Sequence, residues 1–357
     1  MNALSLYAGP KALAHIRAHG LRPHDVGVVP GAAGGPKGLM LGPLDRFVFG
    51  EWLPQSTQPV HLVAASIGAW RFASACLNHP VEALHQFERA YIHQHFEPEP
   101  GRKRPSAKGI TQAFAQGLRD FYAGRESEVL THSRFRLHVL TSRGRQLLNR
   151  EHPVLTPLGY AGAFVSNALH RPWLGAWLER VVFSSQRGLP FDPSDFRTRQ
   201  VALDSSNFYP AIQASCSIPF VLQAVHDIPG SPPGAHWDGG ITDYHLHLNY
   251  QPEPQSPIVL YPHFQHAIVP GWLDKSLRWR HAATSFLDST LVLAPDPQWV
   301  RTLPNGKLPD RSDFTTYGAD LPARVAAWTT AAGAAQQLAD EFAQWLQHPD
   351  LSRIQPL

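Results

Sequence analysis

Three stretches of the 357-residue chain hold residue types suited to acyl transfer. In Ala64-Ala65-Ser66-Ile67-Gly68, Ser66 sits between an apolar run and a helical one. Small residues two places before and after it permit a sharp turn that pushes the hydroxyl outward, the geometry of a nucleophile elbow. A serine there can equally cap a helix. Upstream, the loop Gly31-Ala32-Ala33-Gly34-Gly35-Pro36-Lys37-Gly38 opens onto a helix, so the amides of Gly34 and Gly35 can face a developing oxyanion. Pro36 has no N–H to offer, and Lys37 adds positive charge or fixes the loop. A phosphate-binding loop or a plain turn are the other readings, but Lys37-Gly38-Leu39 lacks the Gly-Lys-Ser/Thr order of a Walker loop. The third stretch, Trp237-Asp238-Gly239-Gly240, places an acid at the end of a strand, followed by glycines that allow close backbone approach. Asp-Gly is also a common turn pair.

The elements around these stretches follow from periodicity and punctuation. Residues 11–19 read as a helix closed by Gly20 and Pro23, and 25–30 as a short strand entering the glycine loop. A helix over 39–53 follows, with Gly42-Pro43 as a break or kink. The pattern repeats with a buried strand over 59–64, Ser66, and a helix over 67–77 stopped by Asn78-His79-Pro80. Two strand-turn-helix units in succession predict an α/β fold with a largely parallel central sheet, functional turns lying at the carboxyl ends of the strands. Further strands are expected at 135–140, at 180–183 and around 220–225. The chain is read as a single domain over 1–357. It has a core over about 25–245, a helical insertion over about 80–130, a charged proline-rich loop over 97–105, and a C-terminal extension over 246–357 ending in helix at 323–345.

Composition narrows the function classes. Hydrophobic residues form 43% and charged residues 17% of the chain, as in a globular enzyme, and a formal charge of +3 is too small to imply a nucleic-acid partner. The two cysteines, Cys76 and Cys216, are too few for a disulfide framework and point to a reducing compartment. The N-terminus lacks a signal-peptide pattern, and no run approaches the roughly 20 apolar residues that span a bilayer. A cytoplasmic location follows as the expectation, with any membrane contact peripheral. His245 and His247 would share one face of a strand and could ligate a metal, but no third ligand is nearby and ordinary strand positions are the preferred reading. Arg102-Lys103-Arg104 is read as a solvated loop, its functional alternative being contact with lipid headgroups. Tryptophans such as Trp272, Trp279 and Trp328 are read as packing rather than as a membrane belt.

Taken in order, the three stretches resemble the patatin-like phospholipase family, whose pattern is a glycine-rich oxyanion loop, a G-x-S-x-G elbow and a D-G-G or D-G-A acid. The likeness covers roughly 25–245 and includes 211–220, similar to the small-residue helix and proline turn that precede the acid in bacterial members. Ala33 replaces the first loop glycine and Ala64 the first elbow glycine, each change adding one methyl group. The resemblance implies a three-layer α/β sandwich and hydrolysis of lipid acyl esters through a Ser66–Asp238 dyad and an acyl-enzyme. In it Asp238 takes the hydroxyl proton directly, and Gly34 and Gly35 form the oxyanion hole. Lys37, Gly38, Gly68, Gly239 and Gly240 support loop, elbow and acid, and neither cofactor nor metal is required. Two alternatives remain. One is a catalytically silent lipid- or partner-binding relative. The other is an α/β-hydrolase triad using His263, His266 or His281, against which stands the single strand before the elbow strand.

Overall fold

The computed structural model describes residues 2–102 and 104–357. It is an α/β protein with one mixed, mostly parallel sheet of eleven strands flanked by helices. The strands are β1 (Leu4–Ala8), β2 (Val26–Gly31), β3 (Val60–Ala65), β4 (Phe135–Gly144), β5 (Leu178–Ser184), β6 (Thr198–Ala202), β7 (Val225–His226), β8 (Ala235–Asp238), β9 (Ile258–Pro262), β10 (Thr290–Pro295) and β11 (Ile354–Pro356). Their main order is β11-β1-β10-β9-β2-β3-β4-β5-β6, with β8 on β4 and β7 on β8. The sheet is therefore not confined to 25–245. β9 pairs in parallel with β2, and β1, β10 and β11 complete that side.

The central strands read as unbroken apolar runs because both of their faces are buried. Along β3, Val60, Leu62 and Ala64 join one core while Val63 and Ala65 join another, and β9 and β10 alternate in the same way. The first core is covered by helices, among them Pro10–His19, Ile67–Ala75 and Gln336–Gln347. The second is closed largely by irregular chain that contributes Leu246, Leu248, Phe264 and Ile268.

Several expectations need correction. The helix expected over 39–53 is a succession of turns: a 3-10 segment Gly35–Leu41, an α-helix Gly42–Phe47 and a π turn Val48–Trp52. Pro43 lies in the first turn of the α-helix, where its missing N–H leaves nothing unpaired, so Gly42-Pro43 begins a helix instead of kinking one. Around 220–225 only Val225 enters a strand. Phe220 takes a positive φ of 68° and the chain turns there, because the apolar residues before β7 face a cavity and not a sheet neighbour. Tyr244-His245-Leu246-His247 is likewise irregular, so the two histidines do not share a strand face.

The insertion contains helices Pro80–Ile92, Ala107–Tyr122 and Glu126–Leu130. Two helices, Leu321–Ala334 and Gln336–Gln347, cover the stretch expected to be helical at the C-terminal end.

Register around β4 brings the elbow and the acid together. One edge of β4 is taken by β5. The other edge carries β3 as far as Ala65 opposite Leu140, and then β8, running the opposite way, from Arg143↔His236 to Thr141↔Asp238. The two strands thus occupy one lane and end nose to nose. Ser66 is the next residue of one, and Asp238 the last residue of the other.

Candidate active site

Ser66 adopts φ 56° and ψ −127° between β3 and the helix Ile67–Ala75. That left-handed region is sparsely populated by residues with a Cβ, and backbone strain of this kind clusters at functional sites. The turn is held by its surroundings. Ser215, at the end of the helix Phe208–Ser215, accepts the Ser66 N–H on its Oγ at 2.9 Å and donates the same hydroxyl to the Leu140 carbonyl at 2.7 Å. Gly68 has no alternative: a Cβ there would lie 1.9 Å from the Gly31 carbonyl oxygen, so the helix can cross the end of β2 only at glycine.

From this turn the Ser66 hydroxyl donates to Asp238 Oδ2 at 2.7 Å. The other carboxylate oxygen, Oδ1, accepts the Gly240 N–H at 2.7 Å, while the Asp238 N–H donates to the Ser217 carbonyl at 2.9 Å. A Cβ on Gly239 would stand 2.2 Å from the Leu140 carbonyl oxygen, and one on Gly240 would stand 2.6 Å from Ala33 Cβ. Both glycines after the acid are therefore demanded by close approach. Burial raises the Asp238 carboxyl above the ordinary aspartate value, although the Ser66 hydroxyl, the Arg311 charge and the Gly240 amide pull the other way.

The glycine loop runs alongside. Gly35 takes φ 57°, and Gly34 and Gly35 stand at the mouth of the 3-10 segment. Among the described residues, neither amide donates to a protein acceptor. Gly38 packs on Ile67, where a Cβ would meet the side chain at 3.2 Å, and Lys37 lies over the Phe264 ring at 5.3 Å.

Two chambers meet at the dyad. The larger, about 900 Å³, is lined by Ser66, Ile67, Gly35 and apolar side chains that include Trp70, Ile110, Phe114 and Leu222. The insertion supplies one of its walls. The smaller, about 240 Å³, is lined by Asp238, Gly34, Gly240, Lys37, Lys275 and Arg311. Ile218 and Arg311 line both.

All the sequence-selected residues of loop, elbow and acid thus converge. The histidines do not: His263 is buried with Nδ1 against the Gln265 backbone, His266 packs at a tilt against the Tyr7 ring, and His281 Nε2 lies 2.9 Å from the Asp274 carbonyl oxygen. No histidine among the described residues is bonded to Ser66 or Asp238. His245 Nδ1 accepts the Val269 N–H at 3.0 Å, and His247 Nε2 lies 2.9 Å from Thr284 Oγ1. Of the basic tripeptide, Arg102 is exposed, Arg104 lines the large chamber, and Lys103 lies outside the described residues. Trp328 is buried, Trp272 lines the small chamber, and Trp279 is exposed.

Sequence reasoning missed Ser215, Lys275 and Arg311. Ser215 lay in a segment already singled out, but nothing local told it from its serine neighbours. Lys275 and Arg311 sit on irregular chain with no periodic signal. No protein-family model matches the chain, and no curated protein matches it either.

Proposed function

We propose that the protein is a carboxylic ester hydrolase of the patatin-like kind, acting on lipid acyl esters through Ser66 and Asp238. The observation that carries this reading is the 2.7 Å hydrogen bond from Ser66 Oγ to Asp238 Oδ2, made from a strained elbow beside two unpaired amides. The distance lies within general-base reach, and the raised basicity of a buried carboxylate favours proton abstraction from a hydroxyl. As Ser66 Oγ bonds to the ester carbonyl carbon, its proton passes to Asp238 and the carbonyl oxygen gains charge facing Gly34 and Gly35. The C–O bond to the alcohol then breaks, and Asp238 returns the proton to the departing oxygen. Water then adds to the acyl carbon as Asp238 takes its proton, the acyl C–Oγ bond breaks, and Asp238 returns that proton to Ser66 Oγ as the acid departs.

A lipid acyl group suits the large apolar chamber, whose size lies in the range of ligand sites. A peripheral lipid contact is supported by the helix Leu155–Leu169, which carries no charged residue. Val154, Leu158, Val165 and Leu169 recur at helical spacing with exposures of 60, 55, 56 and 70%. Among the described residues no helix is long and apolar enough to cross a membrane. A cytoplasmic location fits the two buried, unbridged cysteines.

The test is covalent labelling with a fluorophosphonate probe alongside hydrolysis of a fatty acyl ester. Wild type should be labelled and active. Ser66→Ala should be neither, and Asp238→Asn should lose most activity while folded. Labelling that persists in Ser66→Ala, or full turnover by Asp238→Asn, would defeat the proposal.

A further inference from the structure

We infer that the small chamber beside Asp238 is a binding site for a phosphomonoester carried on the alcohol half of the substrate. The inference rests on the Ser66–Asp238 reading above and names the substrate class for it. Ser66 faces the large chamber and Asp238 the small one, so an attacked ester straddles the two. Asp238 can return its proton only to an oxygen beside it, which puts the departing alcohol in the small chamber and the acyl chain in the large one.

What surrounds that alcohol is cationic. Lys37, Lys275 and Arg311 all line a space of about 240 Å³. Among the described residues none of the three has a carboxylate within ion-pairing distance, although fourteen such pairs occur elsewhere, among them Lys307 with Asp310. Asp310, the other acid of the chamber wall, accepts from Lys307 at 2.8 Å and from the Ser312 N–H and hydroxyl. The Lys275 ammonium is steered by rings, lying 4.1 Å from the centre of Tyr244 and 5.6 Å from that of Trp272. Arg311 Nε lies 3.4 Å from where a Gly35 Cβ would be, so the guanidinium sits over the oxyanion loop. Desolvation, then the charges of Arg311 and Lys37, lower Lys275 to about 8 against the opposing pull of Asp238, as expected where cations outnumber their counter-ions.

Lys37, Lys275 and Arg311 carry three positive charges against Asp238 and an Asp310 already bonded by Lys307, which leaves the chamber with an excess of positive charge. A phosphomonoester brings close to two negative charges and three acceptor oxygens in a small volume, and the guanidinium and ammonium groups match it. A bulky choline diester would bring a further cation into the same space.

The experiment compares hydrolysis of a 1-acylglycerol 3-phosphate with that of the 1-acylglycerol of the same chain, both monomeric, using the full chain. The expected result is a kcat/KM ratio of tenfold or more for the phosphate-bearing ester. Lys275→Met and Arg311→Met should each cut that ratio about tenfold; because both charges also act on Asp238, turnover of both esters can change together, so the ratio within each variant is the readout and circular dichroism with thermal melting is the control for folding. A ratio near one in wild type, or a ratio unmoved by both variants, overturns the inference. Inhibition of neutral-ester hydrolysis by inorganic phosphate, dependent on Lys275 but without any substrate preference, overturns the assignment to the substrate's own headgroup. If neither ester is turned over, the hydrolase reading fails separately, and calorimetric titration with a monoalkyl phosphate still reads the site. Binding weakened about tenfold by Lys275→Met supports it, and absent or unchanged binding overturns it.

Discussion

Replacing Ser66 by glycine should give a more stable protein than replacing it by alanine, the reverse of the usual order. Both substitutions remove the hydrogen bond to Asp238 Oδ2, so that loss cancels in the comparison. Alanine retains a Cβ at φ 56° and ψ −127°, a strain of about 1–3 kcal/mol, which glycine releases. Against this, glycine gives the unfolded chain more freedom, at about 0.4–1 kcal/mol. Because Ser66 lines the large chamber, lost Cβ packing is a small correction. At the midpoints of these ranges the balance favours Ser66→Gly over Ser66→Ala by about 1.3 kcal/mol. With an unfolding entropy of about 2.1 cal/mol/K per residue, 357 residues give about 0.75 kcal/mol/K, so the Tm difference is about 1.7 °C. Scanning calorimetry at pH 7 on the two inactive variants measures it. Equal melting, or alanine above glycine, would refute the claim that the elbow stores backbone strain.

Other expectations follow from the same geometry. Because burial raises the Asp238 carboxyl, ionising it costs stability; its favourable contribution is complete below the ordinary aspartate value and is lost as pH rises through the folded value. Asp238→Asn should therefore melt above wild type at pH 7, with the gain vanishing on acidification, while wild-type kcat/KM should rise with pH through an apparent value above that of a free aspartate. Gly68→Ala should abolish labelling of Ser66, since its Cβ would meet the Gly31 carbonyl oxygen at 1.9 Å and displace the helix from the elbow; soluble, fully labelled protein would contradict this. Arg71 holds the fully buried Asp45 by two 2.7 Å bonds, so Arg71→Met should lose about 3–5 kcal/mol in urea unfolding, most of it regained in the double variant with Asp45→Asn. Ile110→Trp narrows the large chamber and should lower the long-chain to short-chain ester kcat/KM ratio tenfold or more, as read from a chain-length series.

How far the sequence disclosed this arrangement depended on whether the signal was local. The two strand-turn-helix units were legible because β2 and β3 are apolar on both faces and each ends in small residues, a pattern complete within about 15 positions. Asp238 was legible from its glycines, which the structure requires for close approach to β4 and to Ala33. By contrast β9, β10 and β1 are equally apolar, but a short apolar run does not announce its partner. The placement of β9 beside β2 depends on contacts more than 200 positions away, and β10 and then β1 are stacked outward from it. Phe220–Leu222 misled for a related reason: apolar residues facing a cavity look, in sequence, like apolar residues facing a sheet. Of the cations of the small chamber only Lys37 was legible, from its glycine loop; Lys275 and Arg311 reach it from irregular segments, where no period links side chain to face.

The least legible feature is also the one that makes a histidine dispensable in the proposed mechanism. A hydroxyl and a carboxylate meet directly only if two chain ends are aimed at each other, and β4 does this by offering one edge to β3 and β8 in succession. Ser215 fills the gap where the lane changes strands, bonding both the Ser66 N–H and the Leu140 carbonyl. The electrostatics then set opposing demands on Asp238. Burial makes the carboxylate more basic, while Arg311 and the Gly240 N–H keep it ionisable. Were burial unopposed, the group would stay protonated and could not accept the serine proton; were it exposed, it would be too weak a base. An anion seated on Arg311 would neutralise part of the opposing charge and raise Asp238 further, so the rising limb of the kcat–pH profile should lie at higher pH for a phosphate-bearing ester than for the neutral ester of the same chain.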